Sequence, residues 1–142
     1  MIAPVIDLLQ ARASGFLERT INNAEEPVVM FVLEWCEFCW AVRRFLKDIG
    51  VQFRAVELDS VAMQANGLGG DLRTALRVRT GHGTIPQIFI GGSHVGGAMD
   101  LLACHDRNEL IPLLHRANIN PTGDMRLAGL NYLPKWLAAR PA

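Results

Sequence analysis

The sequence predicts a single α/β domain in which helices cover a small β-sheet. Its 142 residues suffice for one domain of ordinary size, and half of them are hydrophobic, which excludes a disordered or collagen-like chain. Helical and strand-like apolar patterns alternate along the chain in the order α-β-α-β-α-β-β-α. This order is typical of a layered α/β domain whose sheet includes one hairpin.

The first half of the chain contains two predicted helices and two predicted strands. Apolar residues recur at helical spacing in a helix over residues 4–22. Val28–Leu33 is an unbroken apolar run, which is typical of a strand that is buried on both faces of a sheet. A second amphipathic helix is predicted over Glu37–Ile49, and Val51–Leu58 alternates enough to form the next strand.

The second half begins with a loop, predicted over Asp59–Gly70, and a short helix over Asp71–Arg79. Pro86–Ile90 is the third predicted strand, and the glycines after it indicate a tight turn into a short fourth strand, His94-Val95. Helices resume over Met99–Ala117. The sequence therefore predicts a domain over residues 1–117.

Residues 118–142 are predicted to form a C-terminal extension, because prolines and glycines recur in it. Its larger apolar residues are expected to dock on the domain as one helical turn: Tyr132, Leu133, Trp136 and Leu137. The sequence assigns no role to this extension.

Charge and cysteine content bound the possible partners and the compartment. Fourteen basic and fourteen acidic residues cancel, so no global field attracts nucleic acid or an anionic membrane. The longest apolar run, Val28–Leu33, is far shorter than the ~20 residues of a membrane span. The first residues lack the apolar stretch of a signal peptide, and three cysteines do not suggest a disulfide-rich secreted domain. We therefore expect a reducing, cytoplasmic location.

The strongest chemical signal is Trp35-Cys36-Glu37-Phe38-Cys39, which lies where a buried strand passes into a helix. Two cysteines at this spacing can close a small disulfide with little backbone movement. Cys36 lies at the helix N-terminus, where unpaired amides and the helix dipole favour a thiolate. Such a thiolate is both a nucleophile and a good leaving group. The pattern therefore predicts a catalyst that forms and releases mixed disulfides.

Two structural alternatives compete with this interpretation. A zinc site needs two more ligands, and Cys104-His105 occupies adjacent positions of a predicted helix, which do not share a face. An inert structural disulfide is disfavoured by a reducing compartment. A CxxC pair in a cytosolic α/β protein is instead typical of a thioredoxin-like redox motif. Cys104 is expected to be a buried small hydrophobe, and the four histidines, which show no ligand spacing, are expected to be exposed.

Three segments in this order make the sequence resemble the glutaredoxins over about residues 27–115. They are the CxxC after the first strand, Thr80-Gly81 leading into Thr84-Ile85-Pro86, and Gly96-Gly97-Ala98-Met99-Asp100. Trp35 before the first cysteine is also a thioredoxin feature, but thioredoxins lack the Gly-Gly-x-x-Asp segment. The resemblance implies a thioredoxin-like fold with a four-stranded mixed sheet flanked by helices, and glutathione as co-substrate.

The resemblance also implies two parts of a glutathione site. It implies that Pro86 is cis and that its loop, with Thr84 and Ile85, faces Cys36 and pairs with the backbone of glutathione. An isolated Ile-Pro is otherwise typical of an ordinary strand start.

The second part is the γ-glutamyl subsite. The resemblance implies that Gly97 lets the backbone approach the ligand, that the Met99 N–H binds the γ-glutamyl carboxylate, and that Asp100 binds its ammonium group. A plain helix cap is the alternative interpretation of Asp100.

The sequence departs from the glutaredoxin pattern at two places. Leu33 stands where glutaredoxins commonly carry Lys or Arg, so Arg73, at another position that serves the same end, is assigned to the glycine carboxylate of glutathione. The alternative for Arg73 is a solvated helix face. Glu37-Phe38 replaces the commoner Pro-Tyr. A carboxylate at Glu37 opposes the negative charge on the thiolate, although it suits a helix N-terminus.

The implied activity is that of a glutathione-dependent thiol–disulfide oxidoreductase. Cys36 is expected to attack glutathionylated proteins, and Cys39 to resolve protein disulfides, in a monomeric protein. Two alternatives stay open. Trp35 and Leu33 favour a thioredoxin-like reductase that is served by thioredoxin reductase. The absence of proline after Cys36 favours a [2Fe–2S] cluster that two chains hold through Cys36 and two glutathiones.

Overall fold

The computed structural model describes residues 3–138, and the side chains of residues 8–137. This part of the chain contains four strands and seven helices, together with two short 3₁₀ turns. In chain order the elements are α1 Ala3–Ile21, β1 Val28–Val32, α2 Glu37–Asp48, β2 Arg54–Glu57, α3 Val61–Gln64, a 3₁₀ turn Ala65–Gly67, α4 Leu68–Thr80, β3 Gln87–Ile90, β4 Ser93–Gly96, α5 Ala98–Asp106, α6 Leu110–Arg116, a 3₁₀ turn Gly129–Tyr132, and α7 Lys135–Ala138. No helix in this part of the chain is long and apolar enough to cross a membrane.

The four strands form one mixed sheet in the order β2-β1-β3-β4. β1 runs parallel to β2, whereas the β1–β3 and β3–β4 pairs are antiparallel. β1 is central, and all five of its side chains are buried, as the unbroken apolar run predicts. The four-stranded mixed sheet flanked by helices that was expected from the resemblance is therefore confirmed.

Each face of the sheet has its own hydrophobic core, because successive side chains of β1 point to opposite faces. Met30 and Val32 pack with α2 and α5 on one face, and Val29 and Phe31 pack with α1 and α4 on the other. The edge-to-face contact of Phe31 with Phe89 of β3, at 5.9 Å between ring centroids, joins neighbouring strands within the second core.

Four segments converge at one edge of the sheet, which we call the site edge. The parallel strands β1 and β2 both end there. Phe31, near the end of β1, pairs with Gln87 at the start of β3, so β3 begins at this edge. Ile88 pairs with Gly96, so β4 ends there. The loops after β1, β2 and β4 and the loop before β3 therefore lie side by side.

Several predicted boundaries were wrong. The loop predicted over Asp59–Gly70 contains α3 and the first turn of α4, because the Ser60 hydroxyl caps α3 by accepting from the Met63 N–H at 3.2 Å. β2 is shorter than Val51–Leu58, and β3 begins at Gln87, one residue after Pro86.

The single helical region predicted over Met99–Ala117 is two helices, α5 and α6. They are separated by Asn108 with φ 61°. Helical periodicity alone does not reveal this break, because one left-handed residue interrupts the backbone without disturbing the apolar spacing.

The C-terminal extension docks more extensively than one helical turn. Its apolar residues pack against the core between the sheet and α2, including Ile119, Met125, Leu127, Tyr132 and Leu133. His105 is buried and its Nε2 lies 2.7 Å from the Leu127 carbonyl, so the expectation that all histidines are exposed was wrong. A buried imidazole needs a polar partner, and the extension supplies it. The last four residues of the extension lie outside the described part of the chain.

Candidate active site at the dithiol

Cys36 is the N-cap residue of α2. Its backbone is extended, with φ −139° and ψ 111°, and its Sγ accepts a hydrogen bond from the Cys39 N–H at 3.3 Å. The side chain is partly exposed and the thiol is free. A backbone donor and the start of a helix both favour negative charge on this sulfur. The geometry therefore suits Cys36 to act as a nucleophilic thiolate.

Cys39 has the opposite environment, one turn further along α2. Its side chain is fully buried. Burial is the main cause, and a side-chain hydrogen bond with Cys36 the second, of a rise in the pKa of the Cys39 thiol from 9.0 to about 12. Cys39 is therefore a thiol at neutral pH. The two cysteines have different roles available to them, with Cys36 as nucleophile and Cys39 as a protonated neighbour.

We expect iodoacetamide at pH 7.5 to modify a single thiol of the native protein, Cys36. A rise in pKa from 9.0 to about 12 lowers the thiolate fraction of Cys39 about a thousandfold, and higher nucleophilicity recovers only about 20-fold of this. Burial also raises the pKa of Cys104. Because the pKa of Cys39 is about 12, increasing the pH to 9 is expected to leave this thiol unmodified.

Intact-mass and peptide mass spectrometry measure this selectivity. The same protein unfolded in guanidinium is the control, and it is expected to take three modifications, one for each cysteine. Comparable labelling rates at Cys36 and Cys39 in the native protein would contradict the assignment.

The loop before β3 lies beside the dithiol at the site edge. The Ile85–Pro86 peptide bond is cis, which confirms the expectation from the resemblance. Cys36 and Ile85 are both partly buried against the core between the sheet and α2, whereas Pro86 is buried and Thr84 is exposed. The structure thus brings the Thr84–Pro86 segment to the edge that carries Cys36. Within this segment, Ile85 is partly accessible.

The loop after β4 closes the other side of the same region. Gly96 has φ 122°, and a Cβ there would collide with the Asp100 carboxylate. That carboxylate accepts a hydrogen bond from the Gly97 N–H at 2.8 Å and so caps α5. A Cβ on Gly97 would lie 3.6 Å from the Pro86 carbonyl oxygen, so this loop and the cis-proline loop are neighbours.

A plain helix cap is the alternative interpretation of Asp100 from the sequence, and Asp100 does cap α5 through Oδ2. Met99 is 55% exposed in the first turn of α5, where backbone N–H groups have no intrahelical acceptor. The segment from Gly97 to Asp100 thus presents a donor at Met99 and a carboxylate at Asp100 on one helical turn. This is the pair of groups that the amino-acid end of a peptide requires.

Arg73 lies near the site edge but is not tied to it. α4 begins against Leu58, the residue after β2, and the Arg73 side chain is exposed. Arg73 forms no hydrogen bond or ion pair with the residues that the structure describes. Arg77, one turn further on, lies beside the loop before Pro86, because its Cδ would contact a Cβ on Gly83 at 3.5 Å. The sequence analysis did not single out Arg77, whose i, i+4 relation to Arg73 was the available signal.

Leu33 has a packing role. It is partly buried against the core on the α4 side of the sheet, together with Leu68 and Ile85. A leucine at this position therefore packs against the same core as Ile85 and adds no cation to the site.

The residues that flank the cysteines hold contacts that the sequence did not reveal. Trp35 is 79% exposed and packs edge-to-face with Trp40, whose indole N–H donates to the Glu34 carbonyl at 3.0 Å. The Asp59 carboxylate, after β2, accepts from the Glu34 N–H at 3.0 Å. Both contacts fix the backbone just before Cys36.

The two residues between the cysteines contact the C-terminal extension. The Trp136 indole N–H donates to Glu37 Oε2 at 2.7 Å, and the Trp136 ring packs edge-to-face with Phe38 at 6.2 Å. The aromatic residue Trp136 was predicted to dock, but no sequence signal linked it to the dithiol. The extension therefore reaches the CxxC motif itself.

The matching family model and two similar relatives of this chain are all glutaredoxins. The glutaredoxin family model matches residues 28–95. A glutaredoxin of Vernicia fordii is 41% identical over 94 residues, which are 66% of this chain and 86% of that protein. Monothiol glutaredoxin-S10 of Oryza sativa subsp. japonica is 36% identical over 110 residues, 78% of this chain. The match spans 63% of that protein's own length.

Solved structures agree with the sequence relatives. The crystal structure of a buckwheat glutaredoxin–glutathione complex superimposes with a TM-score of 0.71 at 27% identity, covering 79% of this chain and 96% of that one. The holo form of glutaredoxin C1 from Populus tremula x tremuloides superimposes with a TM-score of 0.66 at 36% identity, covering 75% of this chain and 98% of that one.

Proposed function

Because this chain belongs to the glutaredoxin family of thiol–disulfide oxidoreductases, we propose that it reduces glutathione mixed disulfides and protein disulfides with Cys36 as the attacking group. One observation carries the proposal. A partly exposed sulfur caps a helix and accepts a backbone hydrogen bond, while the second sulfur, three residues later, is a buried thiol. This asymmetry distinguishes an attacking thiolate from a resolving thiol.

The proposed reaction on a glutathionylated protein proceeds in two exchanges. The Cys36 thiolate attacks the glutathione sulfur, the mixed disulfide breaks, and the protein leaves as a thiolate that takes up a proton. Cys36 is then joined to glutathione. A second glutathione thiolate attacks the glutathione sulfur of this new mixed disulfide, which releases Cys36 as a thiolate together with glutathione disulfide. The net reaction converts the glutathionylated protein and one glutathione thiol into the protein thiol and glutathione disulfide, so no other reductant is required.

A protein disulfide requires Cys39. Attack by Cys36 leaves a mixed disulfide between Cys36 and the substrate. The Cys39 thiol then loses its proton to solvent or to the leaving substrate thiolate and attacks the Cys36 sulfur, which forms the Cys36–Cys39 disulfide. The raised pKa of Cys39, caused chiefly by burial, keeps this thiol protonated while Cys36 makes the first attack.

We propose that glutathione lies along the three segments at the site edge. Ile85 would pair with the cysteinyl backbone, beside Thr84 and Pro86. The Met99 N–H would bind the γ-glutamyl carboxylate, and the Asp100 carboxylate would bind the ammonium group while retaining its hydrogen bond from Gly97. A structural neighbour of this chain, buckwheat glutaredoxin, was crystallised as a complex with glutathione, which supports glutathione as the ligand.

We expect Arg73→Ala to weaken glutathione binding by about 1.5–3 kcal/mol, because a charge-assisted contact with the glycine carboxylate would be lost. Titration calorimetry of the Cys36→Ser protein with glutathione measures the affinity without turnover. Arg116→Ala is the matched control, since Arg116 lines a cavity with Asn22, Gly50 and Gly91, away from the site edge. An unchanged affinity in Arg73→Ala, with a loss in Arg77→Ala, would assign the carboxylate to Arg77 and not to Arg73.

A coupled assay tests the proposed activity as a whole. The protein is given a glutathionylated peptide, glutathione, glutathione reductase and NADPH, and NADPH consumption is followed. In a second reaction, thioredoxin reductase replaces the glutathione system. Trp35 and Leu33 favour this rival on sequence grounds. If thioredoxin reductase reduces the Cys36–Cys39 disulfide and the glutathione system does not, the glutathione-dependent proposal is refuted.

A [2Fe–2S] cluster is the second candidate, and the residues fit one arrangement of it. Such a cluster takes four ligands. No cluster of three or more ligand side chains exists among the described residues, and buried Cys39 leaves Cys36 as the one accessible thiol of the motif. Two chains and two glutathiones would have to supply the set. Glu37 acts in both directions: unlike proline it retains a backbone N–H that can donate to sulfur, but its carboxylate places negative charge near a centre rich in thiolates.

Anaerobic reconstitution with iron, sulfide and glutathione separates the two candidates. A brown dimer that bleaches when glutathione is removed would support the cluster, whereas a colourless monomer would exclude it.

We propose that the protein works as a monomer in a reducing compartment such as the cytoplasm, because each catalytic cycle must return both cysteines to thiols.

A further inference from the structure

The C-terminal extension follows α2 from its last turn back to its first. At the far end, the Gly123 N–H donates to the Ile49 carbonyl at 2.9 Å. In the third turn, the Tyr132 ring packs on Phe45 at 5.4 Å and its hydroxyl donates to the Asp48 carboxylate. The extension is therefore held along the whole helix before it reaches the dithiol.

At the N-terminus of α2 the extension contacts a charged residue, Glu37. Glu37 is the first helical residue, directly after Cys36, and its Oε2 accepts the Trp136 indole N–H at 2.7 Å. The Trp136 ring also contacts Phe38 edge-to-face, so it touches both residues between the cysteines. Trp136 itself is 44% exposed. This contact joins residues 99 positions apart and is the point where the extension meets the redox motif.

The charge of Glu37 matters because, in the reaction proposed above, Cys36 attacks as a thiolate. Two like charges on adjacent residues repel, and this repulsion destabilises the thiolate and hence the reduced form. A hydrogen bond from a neutral donor disperses part of the carboxylate charge and fixes its position. The indole of Trp136 is such a donor.

We propose that Trp136 is a positioning residue that tunes the Cys36–Cys39 redox couple through Glu37. By binding the carboxylate, it reduces the negative potential at Cys36 and so makes the disulfide easier to reduce. The extension thereby acts on the chemistry and not only on stability. This inference rests on the redox function proposed above, but it does not depend on glutathione as the reductant.

The test is a double-mutant cycle on the equilibrium between disulfide and dithiol. Wild type, Trp136→Phe, Glu37→Gln and the double variant are each equilibrated in dithiothreitol redox buffers at pH 7.0, and the reduced fraction is determined by thiol trapping. The absorbance of the Cys36 thiolate at 240 nm is titrated in parallel. Phenylalanine retains the ring next to Phe38 but lacks the N–H donor.

We expect Trp136→Phe to shift the equilibrium constant about two- to threefold toward the disulfide, and to move the thiolate titration to higher pH. Glu37→Gln is expected to shift the equilibrium constant about three- to tenfold toward the dithiol, and to move the thiolate titration to lower pH. In the Glu37→Gln background, Trp136→Phe is expected to have no effect, because the charge on which it acts is absent.

Tyr132→Phe is the matched control. It removes the hydroxyl contact to Asp48 and so loosens the extension at a different point, without touching Glu37. It is expected to leave the redox equilibrium unchanged. The inference is overturned if Trp136→Phe leaves the equilibrium unchanged, if its shift persists in the Glu37→Gln background, or if Tyr132→Phe reproduces it.

The reductant makes the two proposals distinguishable. Dithiothreitol reports on the Cys36–Cys39 couple alone, so a protein that ignores glutathione can still show the cycle described above. Conversely, normal glutathione-dependent turnover with no shift in any variant would remove the role of Trp136 and leave the proposed function intact.

Discussion

Cys36→Ser is expected to abolish all thiol–disulfide exchange, reducing turnover to the uncatalysed background. Serine keeps the capping oxygen but is not ionised at neutral pH and cannot form a disulfide. No other thiol can replace it, because burial keeps Cys39 and Cys104 protonated by raising the pKa of each. The measurement is the coupled assay with a glutathionylated peptide.

Cys39→Ser is expected to separate the two reactions of the same site. Deglutathionylation should be retained within about threefold, because a second glutathione takes the place of the resolving thiol. Reduction of an intramolecular protein disulfide, such as that of insulin, should be largely lost. Cys104→Ala, in α5, is the matched cysteine control and should leave both reactions unchanged. If Cys39→Ser were as inactive as Cys36→Ser on the glutathionylated peptide, the monothiol route would be refuted.

Gly96→Ala is expected to lower the free energy of unfolding by about 2–3 kcal/mol. Gly96 has φ 122°, which strains any residue with a side chain, and its Cβ would displace the Asp100 carboxylate that caps α5. Strain and loss of the cap each contribute about 1 kcal/mol or more. Urea denaturation followed by tryptophan fluorescence measures the change.

Two neighbouring glycines provide controls for this substitution. Gly83→Ala meets only the Arg77 side chain, at 3.5 Å, and should change stability by less than about 0.5 kcal/mol. Gly97→Ala has room for its methyl group, 3.6 Å from the Pro86 carbonyl oxygen, so it should fold normally. Its glutathione affinity should nevertheless fall, because the methyl group would occupy the proposed ligand path. Equal stability losses in all three variants would show that the strain at Gly96 is not specific.

Parts of the site could be predicted because they are short and local. The dithiol spacing, the Ile-Pro before a strand and the Gly-Gly-x-x-Asp turn each lie within a single loop or helix start, and the structure places all three at one edge of the sheet. The buried run Val28–Leu33 likewise predicts the central strand, because a strand covered on both faces has no polar positions. For these features the pattern along the chain and the physical requirement coincide.

The missed features depend on single residues or on distant ones. The segment after β2 forms α3 and a 3₁₀ turn because Ser60 caps the helix and Asn66 adopts a left-handed conformation. Such single-residue signals are weak in a sequence whose glycines indicate a loop. His105 was expected at the surface, but the extension buries it against Leu127. Its polar partner, the Leu127 carbonyl, lies 22 positions later in the chain, so the local sequence does not reveal the burial.

The sequence alone determined the reaction class, because a CxxC at a helix start carries its chemistry in the spacing of two side chains. Only the tertiary structure decided what surrounds that dithiol. Trp136 reaches Glu37 across 99 residues, and the loops of Pro86 and Gly97 become neighbours through strand pairing. The physical reason is that periodicity and spacing report on one element at a time. Contacts between elements depend on how the two faces of the sheet are packed.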